Sequence, residues 1–217
     1  MPLTDDVARY YAARAQMYDA SAGYMDALAE QLREPIKNRF RDALRGHDVL
    51  EIACGTGYWT QVIAVTARSV LATDLDPGMI SLARIRMSAV GNVRCEVADA
   101  YTLNGVRGRF TAAFSHWWWS HVPKSRLREF LSVLHRKLVP GALVVFADQL
   151  PYDWPDRRRD QEGNLLERRV LGDGSRWEIV KNFPTEQEIA EQLVGLAGSF
   201  SYIEYPESGY WTLTYNT

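Results

Sequence analysis

The fold is decided by the stretch Val49-Leu50-Glu51-Ile52-Ala53-Cys54-Gly55-Thr56-Gly57-Tyr58-Trp59-Thr60. It begins as a run of β-forming residues, which is typical of a strand buried on both faces of a parallel sheet. It breaks at Gly55-Thr56-Gly57 and continues as Gln61-Val62-Ile63-Ala64-Val65, which favours a helix. A strand, a tight glycine turn and a helix N-terminus together form the nucleotide-holding corner of a Rossmann-type unit.

The glycine turn also argues against some ligands. Gly55 and Gly57 let the backbone bend sharply and approach a ligand where a Cβ would collide. Thr60, however, stands where the dinucleotide fingerprint Gly-x-Gly-x-x-Gly has its third glycine, which allows close packing near a pyrophosphate. A nicotinamide dehydrogenase is therefore the disfavoured enzyme alternative. Glu51 is a carboxylate on a strand predicted to be buried, where it is costly without a partner.

The motif Glu51-Ile52-Ala53-Cys54-Gly55-Thr56-Gly57 resembles the first motif of the class I, seven-stranded S-adenosylmethionine-dependent methyltransferases. The resemblance implies that the glycine loop passes beneath the methionine and ribose portion of the cofactor S-adenosylmethionine, with no phosphate involved. It assigns Glu51, Ala53, Gly55, Thr56 and Gly57 to cofactor binding. It also implies an α/β fold: a Rossmann-like seven-stranded sheet with helices on both faces, an antiparallel last strand, an N-terminal helical cap and a β-hairpin lid.

Composition limits the possible partners. The 217 residues carry a net charge of −2, so no general attraction to nucleic acid or to an anionic membrane is expected. Two cysteines make no disulfide framework. The N-terminus carries Asp5 and Asp6 and no apolar segment of a signal peptide, and no apolar run is long enough to span a bilayer. We expect a cytoplasmic monomer or homodimer that acts on a small molecule.

The chain is predicted to divide into two parts. Residues 1–45 would form a helical cap packed on the core, and residues 46–217 the methyltransferase domain, with a lid insertion at about 150–183. Within the cap, residues 4–20 predict one helix, and residues 25–44 predict a second that Pro35 kinks or divides.

Two tyrosines of this cap are candidate site residues. Tyr18 shares a helix face with Tyr11, and the pattern Tyr-Tyr…Arg-Ala…Tyr-Asp resembles a family segment that closes over the cofactor. The resemblance implies that Tyr11, Arg14 and Tyr18 meet its methionine end, with Tyr18 the first choice. Tyr24 lies in a loop before the second helix, where it either faces the substrate pocket or packs in the core.

Acidic residues follow the next two predicted strands. Residues 69–74 form a strand that ends in Asp74, at the spacing from the glycines where Rossmann sites place a carboxylate on the ribose. Its neighbour Leu75, and Met79 at the start of the following helix, are assigned to the cofactor site, with Met79 on the adenine. By resemblance, Asp99 accepts from the adenine amino group and the Ala100 backbone N–H meets a ring nitrogen.

Residues 110–115 form the fourth predicted strand. The stretch from Ser115 to His121 should line the transferred methyl group, since ligands bind beyond the carboxyl ends of parallel strands. Ser115 is assigned to the cofactor and Trp118 to the substrate. His116 is the candidate general base; its alternative is a loop histidine bonded to backbone. His121 resembles the second, structural histidine of the family's His-His-Val-Pro-like turn. The strand ends without paired acids, so no metal is expected.

Residues 149–164 are predicted to be irregular, with an exposed arginine run at 157–159. Two alternating segments joined by Gly172-Asp173-Gly174 then predict a β-hairpin. Lys181 lies on its apolar face. A three-residue turn places Arg169 on that face, whereas a two-residue turn places Arg168 there. The alternative is surface pairing of arginine with glutamate.

One arginine with Lys181 suits a carboxylate, phosphonate or phosphate, and the hairpin resembles the lid of small-acid and phosphonate O-methyltransferases. The sequence therefore predicts methyl transfer to a small anionic molecule, at a carboxylate or phosphonate oxygen or at a hydroxyl. The alternatives are N-methylation of a small amine and a non-catalytic S-adenosylmethionine-binding protein.

Overall fold

The computed structural model describes residues 3–217, and their side chains from residue 6 onward. The helices are α1 (Leu3–Arg14), α2 (Tyr18–Ser21), α3 (Ala27–Ala43), α4 (Tyr58–Ala64), α5 (Pro77–Arg86), α6 (Leu127–His135) and α7 (Glu186–Leu193). The strands are β1 (Asp48–Ile52), β2 (Ser69–Asp74), β3 (Val93–Val97), β4 (Phe110–His116), β5 (Leu138–Gln149), β6 (Arg157–Arg159), β7 (Leu165–Val170), β8 (Arg176–Val180), β9 (Phe200–Tyr205) and β10 (Tyr210–Asn216). Three-residue 3₁₀ turns lie at Ala15–Met17, Trp119–His121 and Lys124–Arg126.

Seven strands form the central sheet in the order β3-β2-β1-β4-β5-β10-β9. β10 runs antiparallel to both of its neighbours, and the strands from β1 to β5 pair in parallel. One apolar cluster packs α6 and α7 on one face, and a second packs α3, α4 and α5 on the other. The predicted Rossmann-like α/β fold is confirmed. The strand order reverses between β1 and β4, which is where open α/β sheets bind ligands.

A second, three-stranded sheet carries the lid. β7 and β8 form the predicted hairpin, and Arg169 lies opposite Trp177. The Leu171 N–H donates to the Ser175 carbonyl, so the turn contains three residues and the Arg168 alternative is wrong. α1 packs on this hairpin through Val7, Tyr10 and Ile179.

The predicted irregularity of residues 149–164 is wrong at Arg157–Arg159. These residues form β6, which pairs antiparallel with β7. Arg157 is also not a solvated surface residue, because its guanidinium pairs with the fully buried carboxylate of Glu167. An edge strand as short as this one depends on its partner, so a local sequence pattern does not reveal it.

The cap differs from its prediction in two ways. The single helix expected over residues 4–20 is divided, because the 3₁₀ turn at Ala15–Met17 separates α1 from α2. α3 continues through Pro35 to Ala43, so the expected division is wrong, and a kink at Pro35 stays a prediction. Its buried face, which includes Ile36 and Phe40, outweighs the one backbone hydrogen bond that a proline removes.

The division of the chain at residues 45 and 46 into cap and core stays a prediction. Within residues 3–217, none of the helices combines the length and the apolar character that crossing a bilayer requires.

Candidate active site

A cavity of about 610 Å³ lies at the carboxyl ends of the central strands, within the size range of small-molecule sites. Its lining comes from the ends of β1, β2 and β3, from the segment after β4, and from helix α1 with Tyr18. Most of the residues assigned to the cofactor from the sequence line this cavity: Tyr18, Ala53, Gly55, Asp74, Leu75, Met79, Asp99 and Ala100. A small cavity of about 20 Å³ adjoins it, sharing Tyr18, Ala53, Gly55 and His116.

The turn after β1 has a left-handed backbone at three positions. The φ angles are 54° at Ala53, 56° at Gly55 and 81° at Gly57. A Cβ on Gly57 would lie 3.2 Å from the Cα of Ala83, so glycine at this position lets α5 approach the turn. Near Gly55 the closest atom to such a Cβ is Cε1 of Tyr18, at 3.9 Å. The turn therefore presents bare backbone to the cavity.

Asp74 fixes this turn to the end of β2. Its Oδ2 accepts the Gly55 N–H at 2.9 Å, and its Oδ1 accepts the Asp76 N–H at 3.0 Å. Burial raises the pKa of Asp74 to about 6. Asp76 caps α5 by accepting the Met79 N–H at 2.7 Å, as the sequence predicts.

Glu51 is a buried carboxyl in need of a partner. It is 1% exposed, and among the described residues its Oε2 has no hydrogen-bond donor. Burial raises the pKa of Glu51 to about 8, and the charge of Asp74 adds to the shift. Glu51 lines the small cavity together with Thr56. An orphaned carboxyl beside a bare glycine turn fits a ligand that carries an amino group, as S-adenosylmethionine does.

Asp99 follows β3 and lines the main cavity, where its Oδ1 accepts the Tyr101 N–H at 2.8 Å. Ser115 is part of neither cavity lining, and its hydroxyl donates to the Ile52 carbonyl at 2.9 Å. Gly57 also lies outside both linings. The two residues thus hold the framework around the site, and a direct contact to the cofactor stays a prediction for each.

His116 lines both cavities inside an aromatic cluster. Its ring centroid lies 4.2 Å from that of Trp59 and 5.2 Å from that of Tyr210. Burial holds the pKa of His116 well below its usual value, with Arg33 and Lys181 adding to the effect. Its Nε2 has no partner among the described residues. The ring is therefore neutral and has a buried nitrogen without a partner among the described residues, and its role as a base stays a prediction.

His121 forms a pair with Tyr11 that the sequence analysis missed. Nδ1 of His121 donates to the Val180 carbonyl at 2.7 Å, so Nε2 accepts the Tyr11 hydroxyl at 2.8 Å. Both residues line the cavity, and burial lowers the pKa of His121 and raises that of Tyr11. They lie 110 residues apart, and although the family resemblance gave each residue a role, nothing in the sequence indicated that the two are partners.

Lys181 lies outside both cavity linings, in a buried ion pair. It is 2% exposed, and its Nζ donates to Ser120 Oγ at 2.8 Å and to Asp148 Oδ1 at 3.3 Å. Burial lowers its pKa, and the Asp148 charge opposes the shift. Asp148 reaches Lys181 from β5 of the central sheet and compensates its charge, so a contact of Lys181 with the substrate stays a prediction.

Arg169 also lies outside both linings and is held from three sides. It pairs with Glu167, donates to the Tyr152 hydroxyl at 2.7 Å and stacks on Trp154, 4.0 Å from the ring centroid. Its Nε has no partner among the described residues. The positive charges of Arg169 and Lys181 act on His121 at the cavity wall, lowering the pKa of that histidine.

The other two substrate candidates, Trp118 and Tyr24, line different cavities. Trp118 lines the main cavity, and its indole N–H has no partner among the described residues. Tyr24 borders the small cavity, stacked on Tyr58 with 3.8 Å between centroids, and accepts from the Trp59 N–H at 3.2 Å. No group of three or more potential metal ligands (His, Cys, Asp or Glu) occurs in the described part of the chain.

Residues 49–141 match the family model described as a methyltransferase domain. Solved structures of DhpI are similar over nearly the whole chain. The DhpI complex with SAM and HEP is 33% identical, covers 99% of this chain and 98% of that chain, and has a TM-score of 0.80. The complex with SAH has the same identity, covers 98% and 96%, and has a TM-score of 0.77.

Curated relatives match over shorter stretches. Malonyl-[acyl-carrier protein] O-methyltransferase of Serratia marcescens is 26% identical over 141 residues, which are 65% of this chain and 51% of that protein. Phosphoethanolamine N-methyltransferase 1 of Caenorhabditis elegans is 32% identical over 88 residues, which are 41% of this chain and 18% of that protein. The chain thus spans about half or less of the curated relatives it matches.

The sheet order, the glycine turn and these similarities define the class: the chain belongs to the class I S-adenosylmethionine-dependent methyltransferases. It is an enzyme of the small-molecule type, and S-adenosylmethionine is its cofactor.

Proposed function

We propose that this enzyme transfers a methyl group to an oxygen of a small acidic molecule, of the carboxylate, phosphonate or phosphate class. The observation that carries the proposal is the surplus of positive charge beside the cavity. Among the residues that the structure describes, Arg157 and Arg169 pair with one buried carboxylate, Glu167, and Lys181 pairs with another, Asp148. The named ligands of two relatives, HEP and phosphoethanolamine, give a lead on which acids to test.

When bound, S-adenosylmethionine supplies an electrophilic methyl group on a sulfonium. We assign the glycine turn, Glu51 and Tyr18 to its methionine end, Asp74 to the ribose, and Asp99 with Ala100 to the adenine. These groups line the cavities in the order in which their strands follow one another in the sheet. Their task is to bind and orient, and the apolar walls exclude water.

At the acceptor end, the protein's own groups suit an acid that is already ionised. Such an oxygen needs no general base, so alignment and charge compensation are what the enzyme must provide. Tyr11 stays protonated because burial raises its pKa, and His121 stays neutral because burial lowers its pKa. Arg169, whose charge acts on both Tyr11 and His121, is the proposed partner of the acceptor's negative charge.

A second candidate rests on His116. Its Nε2 lacks a partner among the described residues and the ring lines both cavities, so it is placed to take a proton from a hydroxyl or an amine. In that case the acceptor would be a neutral alcohol or a small amine, and the reaction would depend on the histidine.

Methyl transfer to small carboxylates, phosphonates and phosphates, against matched alcohols and amines, tests the choice. For an acid, Arg169→Met should raise the acceptor KM by at least about 10-fold and leave SAH affinity unchanged, since a charged hydrogen bond contributes about 1.5–3 kcal/mol. Arg158→Met is the matched control, because Arg158 lies on the same small sheet but is exposed and pairs with Glu178 instead. Turnover that depends on His116 and ignores Arg169 would overturn the proposal.

A further inference from the structure

Three elements meet at Asp19: the cap helix α2, the glycine turn and α5. Oδ1 of Asp19 accepts the Thr56 hydroxyl at 2.5 Å, and Oδ2 pairs with the Arg86 guanidinium. Arg86 in turn donates at 3.0 Å to both the carbonyl and the hydroxyl oxygen of Thr56. The three side chains therefore close a ring of hydrogen bonds, which we call the Asp19 latch.

The latch holds the one residue of the turn that lies between its two left-handed glycines. Thr56 is 4% exposed, flanked by Gly55 and Gly57 at φ angles of 56° and 81°. From the sheet, Asp74 holds the backbone N–H of Gly55. The latch binds the turn from the cap side. Together, Asp74 and the latch fix a left-handed backbone that residues other than glycine avoid.

The latch also seats an aromatic ring over the turn. Asp19 directly follows Tyr18, whose ring lies over Gly55 and lines both cavities. α2 has only four residues, too few to persist without tertiary contacts. The position of the Tyr18 ring therefore depends on what Asp19 binds.

The ion pair of the latch is only partly buried. The side chains of Asp19 and Arg86 are 27% and 25% exposed, so solvent and salt reach the ion pair. Part-buried contacts between a cap and the rest of an enzyme are of the kind that break when a ligand enters or leaves.

We propose that Asp19 is a positioning residue for the cofactor: through Thr56 and Arg86 it fixes the glycine turn, seats Tyr18 over it, and sets the rate at which the cofactor is released. The proposal rests on the assignment of the turn and Tyr18 to the cofactor made above, and it is independent of which acceptor is used.

The test measures SAH binding to the full-length enzyme without any acceptor, by titration calorimetry and by stopped-flow displacement. Asp19→Asn is expected to weaken SAH binding by about 10-fold, mainly through faster release, as expected for loss of a charged hydrogen bond. Arg86→Gln should do the same, and the double variant should be no worse than either single one, because the groups act as a unit.

Two further measurements separate positioning from a general loss of stability. Raising sodium chloride to roughly 0.5 M should speed SAH release from the wild type and leave it unchanged in Asp19→Asn. Asp19→Glu, which keeps the charge, should recover part of the affinity. The matched control is Asp42→Asn, which removes an exposed ion pair with Arg45 at the far end of α3.

The proposal would be overturned if Asp19→Asn bound and released SAH as the wild-type enzyme does. So would a loss that is additive with Arg86→Gln and insensitive to salt, since that pattern indicates a fold effect only. Failure of the acid-acceptor proposal would instead appear in the acceptor KM of Arg169→Met, a quantity that the SAH measurements do not contain.

Discussion

The cofactor end and the lid side of this cavity handle their charges in opposite ways. At the cofactor end, Glu51 is buried and Asp74 is half-buried, and burial raises their pKa values to about 8 and about 6. On the lid side, Lys181 and Arg169 are paired with Asp148 and Glu167. The first set has no cation beside it among the residues that the structure describes and is proposed to meet the cofactor, whereas each cation of the second set has a carboxylate partner within the protein.

This difference predicts which substitutions change ligand affinity and which change stability. If the proposed assignments hold, a change at the cofactor end should lower ligand affinity without removing the partner of a buried charge in the protein. A change among the lid cations should alter stability first, because it leaves a buried charge without its partner.

The largest expected effect is at Lys181. Lys181→Met leaves Asp148 buried and without its cation, so the free energy of unfolding should fall by about 3–5 kcal/mol. Lys181→Met/Asp148→Asn should recover most of the loss in denaturant titrations. If the double variant folds well but its acceptor KM stays high, Lys181 also serves the substrate; a normal KM would leave it a purely structural role.

Asp74→Asn should weaken SAH binding by about 100-fold, since a charged acceptor of ribose hydroxyls is lost and the hold on Gly55 is weakened. Calorimetry measures the affinity directly. Asp76→Asn is the control two residues away, where asparagine caps a helix as well as aspartate does, so its affinity should stay within a few-fold of wild type. Equal losses in both variants would contradict the ribose assignment.

Glu51 should make stability depend on pH. Its folded pKa of about 8 lies above the unfolded value of 4.5, so its contribution is fully favourable below pH 4.5 and is lost as the pH rises towards 8. Glu51→Gln should therefore be more stable than wild type at pH 7, by on the order of 2 kcal/mol, with a flatter pH profile. Chemical denaturation at several pH values checks this. A wild-type profile in Glu51→Gln would contradict it.

The cofactor assignment adds a second readout at Glu51. Binding of a ligand with an ammonium group should favour the ionised carboxylate, so wild-type enzyme should release a proton at pH 7 when it binds SAH. Calorimetry in buffers of different ionisation enthalpy measures the proton, and Glu51→Gln should release less.

The smallest expected effect is at Tyr11. Tyr11→Phe removes the hydroxyl that His121 accepts and keeps the ring, so we expect a rise of about 3–5-fold in the acceptor KM and little change in SAH affinity. Steady-state kinetics measure both. A fall in SAH affinity with an unchanged acceptor KM would instead place Tyr11 at the cofactor end.

The residue pattern alone was enough to predict which strand ends meet at the cavity, whereas the contacts of these residues with the cofactor stay predictions. Gly55, Gly57, Asp74 and Asp99 lie within or just after strands whose hydrophobic runs are readable locally, and parallel strands bring such ends to one edge. Local pattern also narrowed the hairpin register to two choices, which put Arg168 or Arg169 on the lid face, and the observed three-residue turn selects Arg169.

The contacts of the lid and the cap around the cavity depend on how distant elements pack in the folded protein. The Tyr11–His121 pair, the ion pair of Lys181 with Asp148, and the Asp19 latch each join residues that lie far apart in the chain. Partners of this kind are chosen when elements pack, and no spacing along the chain records the choice. A buried charge is visible in a sequence, but its counter-charge belongs to another element and appears only once the chain has folded.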